Sequence, residues 1–513
     1  MTNSVAELLS QAAAAQADDI ALVEGASGRT RTWAELDAEA DRVVAGLGEA
    51  GLVAGYRVAL VLGNRIEFVA AYLGALRAGL VVVPVNPRST GSELGRILDD
   101  SGCRLVVTDD DAAAMVREAV GDREVRIVVA GRPAAGETSY DELTASAGRP
   151  VPPQQDPEAT AVLLYTSGTS GLPRGAMLTH RALLANIEQV ASVEPPMLTA
   201  TDVVLGVLPL FHVYGLNAVL GATLHRRAKL VLAETFSPEG TLDLIDDEAI
   251  SVVPVAPPAF AHWLSMDDLA VRFGPVRLVL SGSAPLPGDV VDRFVEVTGV
   301  PVHQGYGLTE AAPVVTSTLC SSDAESGSVG AAIPGIALRL IDEDGQAPEG
   351  SDPGEIEIRG ANLFSGYWPD GADGPDDDGW WRTGDVGFLD DDGDLFLVDR
   401  VKELVIVSGF NVYPIEVEEV LRRVPGVREA AVIGAPDEET GERVIAYLVV
   451  DGDEETVLAA VRESSTTNLA RFKQPTELHV VPALPHTATG KVQKGRLRAV
   501  RRRGPELLEA ERP

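Results

Sequence analysis

Between Tyr165 and His180 the chain reads YTSGTSGLPRGAMLTH. Thr166, Ser167, Gly168, Thr169, Ser170 and Gly171 bring hydroxyls and glycines together at the end of a strand-like run. Small residues let backbone N–H groups close around an anion, and hydroxyls add donors for phosphate oxygens. No Gly-Lys-Ser/Thr ends the run, so the pattern is not the Walker loop. The residue types predict a phosphate loop of another kind over 166–175, running on to a helix from about His180. An ordinary Gly/Ser turn has the same composition.

The elements that would position such a loop are legible in the periodicity. Apolar strand-like runs at Arg57–Asn64, Leu80–Asn86 and CRLVVTDD alternate with helical runs at Ile66–Gly79 and ELGRILDDSG. This β-α-β-α order predicts parallel sheets covered by helices. A Pro/Gln/Asp linker at 148–157 precedes more of the same: strands at 161–165 and near 203–207, 230–233 and 251–255. After about Gly327 shorter alternating strands appear at 337–342, 354–360 and 393–399, with Gly/Asp turns, which predicts a small β-rich unit. The acidic run Asp370–Gly379 reads as a solvated loop. From Arg400 a compact α+β module begins, with a helix near 414–423, strands at 430–433 and 444–450, and a helix near 455–468. The division expected is 1–399 and 400–513, with the boundary at about Asp399–Lys402.

The 513 residues hold 42 Lys and Arg against 77 Asp and Glu, a formal charge of −35. That balance excludes a nucleic-acid binder, which needs clustered cations, and disfavours docking on anionic lipid. The hydrophobic share of 45% suits a multidomain globular chain. Only Cys103 and Cys320 are present, too few for a disulfide framework. With no secretion signal at the N-terminus, a cytoplasmic location is expected. The most apolar window, Phe68–Val85, is interrupted by Arg77 and closed by Pro84, so a helix, a turn and a buried strand are expected rather than a membrane span.

Four further segments complete a pattern. Gln304-Gly-Tyr-Gly-Leu-Thr-Glu310, Trp381-Arg-Thr-Gly-Asp385, Asp399-Arg-Val-Lys-Glu403 and Pro485-His-Thr-Ala-Thr-Gly-Lys491 follow the glycine-rich loop in order. With it they resemble the adenylate-forming superfamily of acyl-CoA synthetases, coumarate-CoA ligases, luciferases and peptide-synthetase adenylation domains, over nearly the whole chain. The resemblance implies an α/β protein: a large N-terminal part of two stacked α/β subdomains plus a distorted β-barrel, and a small C-terminal α+β domain on a hinge. It implies attack of a carboxylate on the α-phosphorus of ATP to give acyl-AMP and pyrophosphate. Transfer of the acyl group to the thiol of CoA, with release of AMP, follows. A stand-alone enzyme loading an acyl carrier protein is the alternative acceptor reading.

The resemblance also implies roles. Thr166–Gly171 would hold the β- and γ-phosphates. Arg174 stands where the family usually has Lys, which keeps a cation but changes a compact point charge into a planar fork. Tyr306, between Gly305 and Gly307, would lie against adenine, and Thr309 would donate to the α-phosphate. Glu310 would be an oxygen ligand of Mg²⁺; a carboxylate at a helix start would look the same. Gly282, Ser283 and Ala284 would line the other face of adenine and the acid pocket, unless they form a simple strand-end turn. Asp385 would accept both ribose hydroxyls and Arg400 would reach the ribose, although the two could form a structural ion pair. Lys491 would bridge carboxylate and α-phosphate as charge develops; a surface lysine is the plain alternative.

In the acid pocket, His212 would flank the carboxylate, unless it is a core histidine satisfied by backbone. Tyr214 and Ala218 would line the tail, with Gly282 and Gly305 leaving room. Malonyl-CoA synthetases carry Arg where this chain has Gly305, so an aliphatic or aryl monocarboxylate is expected. Lys402 would be the hinge between half-reactions, and Gly409 would border the thiol tunnel.

Overall fold

The computed structural model describes residues 2–145, 156–166, 173–284, 286–342, 344–348, 352–400, 403–407, 410–437, 440–487 and 490–503. The chain divides into two compact units, Met1–Ala337 with Arg359–Trp381, and Leu338–Ile358 with Arg382–Pro513. The second unit thus gathers most of the β-rich segment together with the C-terminal module.

The first unit is built on two seven-stranded sheets. One has the order Thr138–Ser139, Arg126–Ala130, Leu105–Asp109, Arg57–Val61, Val81–Pro84, Thr160–Thr166 and Arg174–Thr179. The other runs Val302–Gln304, Leu278–Ser281, Val252–Val255, Val203–Gly206, Lys229–Leu232, Ile20–Glu24 and Thr30–Thr32. In each sheet the last pair is antiparallel and the other strands are parallel. Strands buried on both faces explain the unbroken apolar runs. One core joins inward residues of both sheets, such as Val58, Leu60, Val204 and Leu230. Two further cores cover the outer faces. This is the stacked pair of α/β layers expected.

Between the sheets lies the helix Ile66–Arg77, in which every residue except Glu67 is buried. Arg77 does interrupt the apolar window, and it is held inside by Asp37 at 2.6 Å and Asp41 at 2.5 Å. Among the described residues no helix is long and apolar enough to cross a membrane. Helix starts follow local chemistry: Thr32 with Glu35, and Thr90 with Glu93, form reciprocal capping boxes.

The distorted barrel is a half-barrel, a four-stranded sheet of Ile336–Ile341, Gly354–Gly360, Trp380–Leu389 and Leu395–Arg400 in sequence order. In the C-terminal module the strands outrun the expected spans: Val427–Asp437 and Gly441–Val450 form one long antiparallel hairpin. The helices Pro414–Arg422 and Glu454–Asn468 fall where the periodicity puts them. On the helix Lys494–Arg503, the nearly buried Lys494 ammonium sits 2.8 Å from Glu418 and 3.4 Å from Glu403.

Candidate active site

The glycine-rich segment is the connection of a hairpin. Thr160–Thr166 pairs antiparallel with Arg174–Thr179, so Thr166 faces Arg174 across the ladder. The expectation of a loop running directly to a helix is corrected here. A return strand intervenes, and Thr179 then caps the helix His180–Ala191 by accepting from Ala182 N–H. Ser167, Gly168, Thr169, Ser170 and Gly171 lie outside the described residues. The segment 365–368 lies along the return strand: Ser365 N–H donates to Met177 O at 3.0 Å, Met177 N–H to Gly366 O at 3.1 Å, and Trp368 N–H to Gly175 O at 2.8 Å. This pairing covers what would otherwise be an open edge.

Three candidate segments leave the carboxyl ends of parallel strands in the second sheet, two of them adjacent and the third beyond Val252–Val255. Ser281 and Gln304 are register partners, so Gly282 and Gly305 depart side by side. The segment carrying His212 follows Val203–Gly206 in the same sheet. Ligands of open α/β sheets bind at such edges.

After Gly305 the chain folds back on itself. Tyr306 N–H donates to Thr316 Oγ1 at 3.1 Å, and Tyr306 O accepts from Val315 and Thr316 N–H groups. A Cβ at Gly305 would stand 2.6 Å from the Thr316 carbonyl oxygen, and one at Gly307 would stand 2.4 Å from that of Pro313. Both glycines are therefore required by the close approach of backbone. At Gly305 this differs from the expected reason, room for the acid. Tyr306 is buried, and Thr309 and Glu310 sit on a single turn of 3₁₀ helix, Thr309–Ala311. Glu310 is buried and its Oε1 accepts from the Tyr367 hydroxyl at 2.6 Å. Burial, together with the Glu310 charge, pushes the Tyr367 phenol up, so it donates.

Buried carboxamides hold this turn. Asn217 donates to the carbonyls of Leu183 and Ala312, Asn362 donates to Ala311 O, and Asn186 both donates to and accepts from the Val314 backbone. Asn64 does the same for the segment before His212, donating to Gly206, Leu208 and Ala233 carbonyls and accepting from Leu210 N–H. Sequence reasoning missed these residues. The available signal was asparagine inside otherwise apolar runs, ALLANI and YGLNAVL, since a buried amide must be paired.

His212 is half-buried, and its Nδ1 accepts from Tyr214 N–H at 3.3 Å. Desolvation pushes the imidazole down to about 4. The ring is then neutral at pH 7 with its proton on Nε2, a donor rather than a base. Tyr214 begins a π-helix, Tyr214–Gly221, which also carries the half-buried Ala218. A Cβ at Gly282 would lie 2.8 Å from the Tyr214 ring, so this glycine makes room for the tyrosine. Ser283 next to it holds a left-handed φ of 75°, and its hydroxyl has no hydrogen-bond partner among the described residues. Strain of this kind collects at functional sites. Ala284 is half-buried beside it.

The remaining candidates belong to the second unit. Asp385 is buried and lies directly opposite Arg400 across an antiparallel pair. Lys491 is exposed on a tight loop closed by Thr487: Lys491 N–H donates to Thr487 Oγ1 at 3.0 Å, and Thr487 N–H donates to Lys491 O at 2.8 Å. Lys402 and Gly409 lie outside the described residues, as does the Arg400 side chain. Among the described residues no group of three or more His, Cys, Asp or Glu could hold a metal ion, and neither cysteine is in a disulfide.

Comparison with known proteins agrees with this fold. The profile described as AMP-binding enzyme matches residues 9–368, and that described as AMP-binding enzyme C-terminal domain matches 416–491. 4-Coumarate–CoA ligase 3 of Oryza sativa subsp. japonica is 34% identical over 494 residues, covering 93% of this chain and 88% of that protein. ATP-bound MatB from Rhodopseudomonas palustris superposes with a TM-score of 0.88 at 34% identity, covering 97% of this chain and 99% of that one. The o-succinylbenzoate CoA synthetase of Bacillus subtilis, solved with its acyl-adenylate intermediate, gives 0.83 at 28% identity over 96% and 97%.

Proposed function

The chain belongs to the AMP-binding enzyme family of adenylate-forming CoA ligases, and from that premise we propose that it activates an aliphatic (fatty) or aryl monocarboxylic acid with ATP and passes the acyl group to CoA. The convergence of three segments at one carboxyl edge of the second sheet carries the reading: Gly282–Ala284, the turn holding Tyr306 to Glu310, and the His212–Tyr214 segment. Tyr214 and Ala218 offer a largely apolar lining, and His212 Nε2–H offers a neutral donor to the carboxylate.

In the first half-reaction a carboxylate oxygen bonds to the α-phosphorus of ATP and pyrophosphate leaves. Two anions meet, so the site must supply positive potential where charge develops. Lys491 is that cation, with Thr309 donating to the α-phosphate and Tyr306 against adenine. Asp385 accepts the ribose hydroxyls, with Arg400 near it. Glu310 is a single buried carboxylate. That fits Mg²⁺, which takes one or two carboxylates and keeps phosphate oxygens and water in its shell; when bound, such an ion neutralises phosphate charge. In the second half-reaction the thiol sulfur attacks the acyl carbonyl, AMP leaves and the thiol proton passes to solvent. By the family resemblance residue 402 would serve as the hinge and residue 409 would border the thiol path, though both lie outside the described residues.

The test is a panel of carboxylic acids in a pyrophosphate-release assay, with free CoA or a carrier protein as acceptor. Release with an apolar monocarboxylate and thioester formation on free CoA are expected. Thioester formation on the carrier protein alone refutes the CoA reading, and silence with every monocarboxylate refutes the substrate class.

A further inference from the structure

Arg174 departs from the family's usual lysine, and its surroundings show what a guanidinium does there. Its Nη2 is 2.7 Å from Asp373 Oδ2, and its planar head lies over the Tyr367 ring, 3.8 Å from the centroid. The Tyr367 hydroxyl donates to Glu310 Oε1 at 2.6 Å. Main-chain pairing of 365–368 with the return strand fixes where the ring stands, and Phe364 packs edge-on against it at 5.0 Å. Asp373, in the acidic run read as a solvated loop, is thus exposed yet specifically paired.

We propose that Tyr367 is a positioning residue for Glu310, and that Arg174 is coupled to Glu310 through the Tyr367 ring. A cation above the face of a phenol draws density from the ring and strengthens its O–H as a donor. The phenol in turn fixes the orientation of the carboxylate. Arginine can lie over the ring and reach Asp373 through Nη2 at once; a lysine ammonium has no flat face. The inference rests on the proposed role of Glu310 at the metal–nucleotide complex.

Binding of MgATP to the full-length enzyme, by calorimetry, tests the coupling through a double-mutant cycle. Tyr367→Phe keeps the ring and removes the hydroxyl, and should weaken MgATP about tenfold, as loss of a hydrogen bond to a charged group does. Arg174→Lys should weaken it about threefold. The double variant should match Tyr367→Phe to within about twofold, because the arginine has nothing left to transmit. ATP in EDTA should bind the unaltered enzyme and Tyr367→Phe alike, since the carboxylate then has no ion to receive. Independent losses, about thirtyfold in the double variant, overturn the coupling. An equal tenfold deficit without metal overturns the positioning role. If the unaltered enzyme binds no MgATP, the functional reading falls and takes this inference with it.

Discussion

Replacing Gly305 by alanine puts a methyl 2.6 Å from the Thr316 carbonyl oxygen. Carbon–oxygen contacts settle at about 3.3–3.6 Å, so one backbone must move by roughly 0.7–1 Å. Neither can move alone. Thr316 N–H donates to Tyr306 O at 3.1 Å, its hydroxyl accepts from Tyr306 N–H at 3.1 Å, and that hydroxyl donates to Val329 O at 2.6 Å. Losing one or two of these bonds costs about 1–3 kcal/mol, and the displaced residue is Tyr306. Urea denaturation should show a loss of about 2 kcal/mol. In pyrophosphate exchange the KM for ATP should rise about tenfold, with less effect on the KM for the acid. Gly48→Ala is the control: nothing lies within 4 Å of a Cβ there, it is helical, and it should gain about 0.5–1 kcal/mol. If Gly305→Ala binds ATP normally and keeps its urea midpoint, close backbone approach does not position Tyr306.

Gly282→Ala drives a methyl into the Tyr214 ring; the KM for the acid should change severalfold or the preferred acid should shrink, with the KM for ATP nearly constant, as an acid-panel comparison would read. His180 is buried, accepts from Val5 N–H, and burial pushes its imidazole down to about 4. The unfolded chain takes up that proton below about pH 6.5, so stability is whole above this and falls towards pH 4 by up to about 3 kcal/mol; denaturant titrations should show the fall, and His180→Asn should reduce it. Lys491→Ala should lose adenylation by at least a hundredfold while still transferring acyl from supplied acyl-AMP to CoA. Lys402→Pro should keep ATP–pyrophosphate exchange and lose thioester formation, and equal loss of both half-reactions would contradict domain alternation.

Alternating strands and helices were readable because parallel strands buried on both faces spell unbroken apolar runs. The strand Arg174–Thr179 was hidden because its partner is the strand just before the glycine-rich loop, and a short run next to a helix carries little period of its own. The chemistry-bearing residues could be named from types and order, yet their reasons could not. Gly282 exists for Tyr214 and Gly305 for the Thr316 carbonyl, contacts between segments far apart in the chain. Tyr367 gave no signal, since a tyrosine in FSGYWPD reads as turn packing until Glu310 is found beside it. The carboxamides that hold the Glu310 turn are legible only as polar residues in apolar runs, and which carbonyl each serves is a property of the fold.

The ion pairs of Lys494 have a mechanical outcome. Glu403 follows directly on residue 402, and Lys494 stands three residues past Lys491, with Glu418 gripping the same ammonium from the helix Pro414–Arg422. Partners held this far from water do not slip past one another cheaply. Lys494 therefore ties the segment at Glu403 and the helix Pro414–Arg422 to the helix that follows the Lys491 loop. Neutralising Glu418 would remove the shorter of the two ties and loosen that helix from its neighbour.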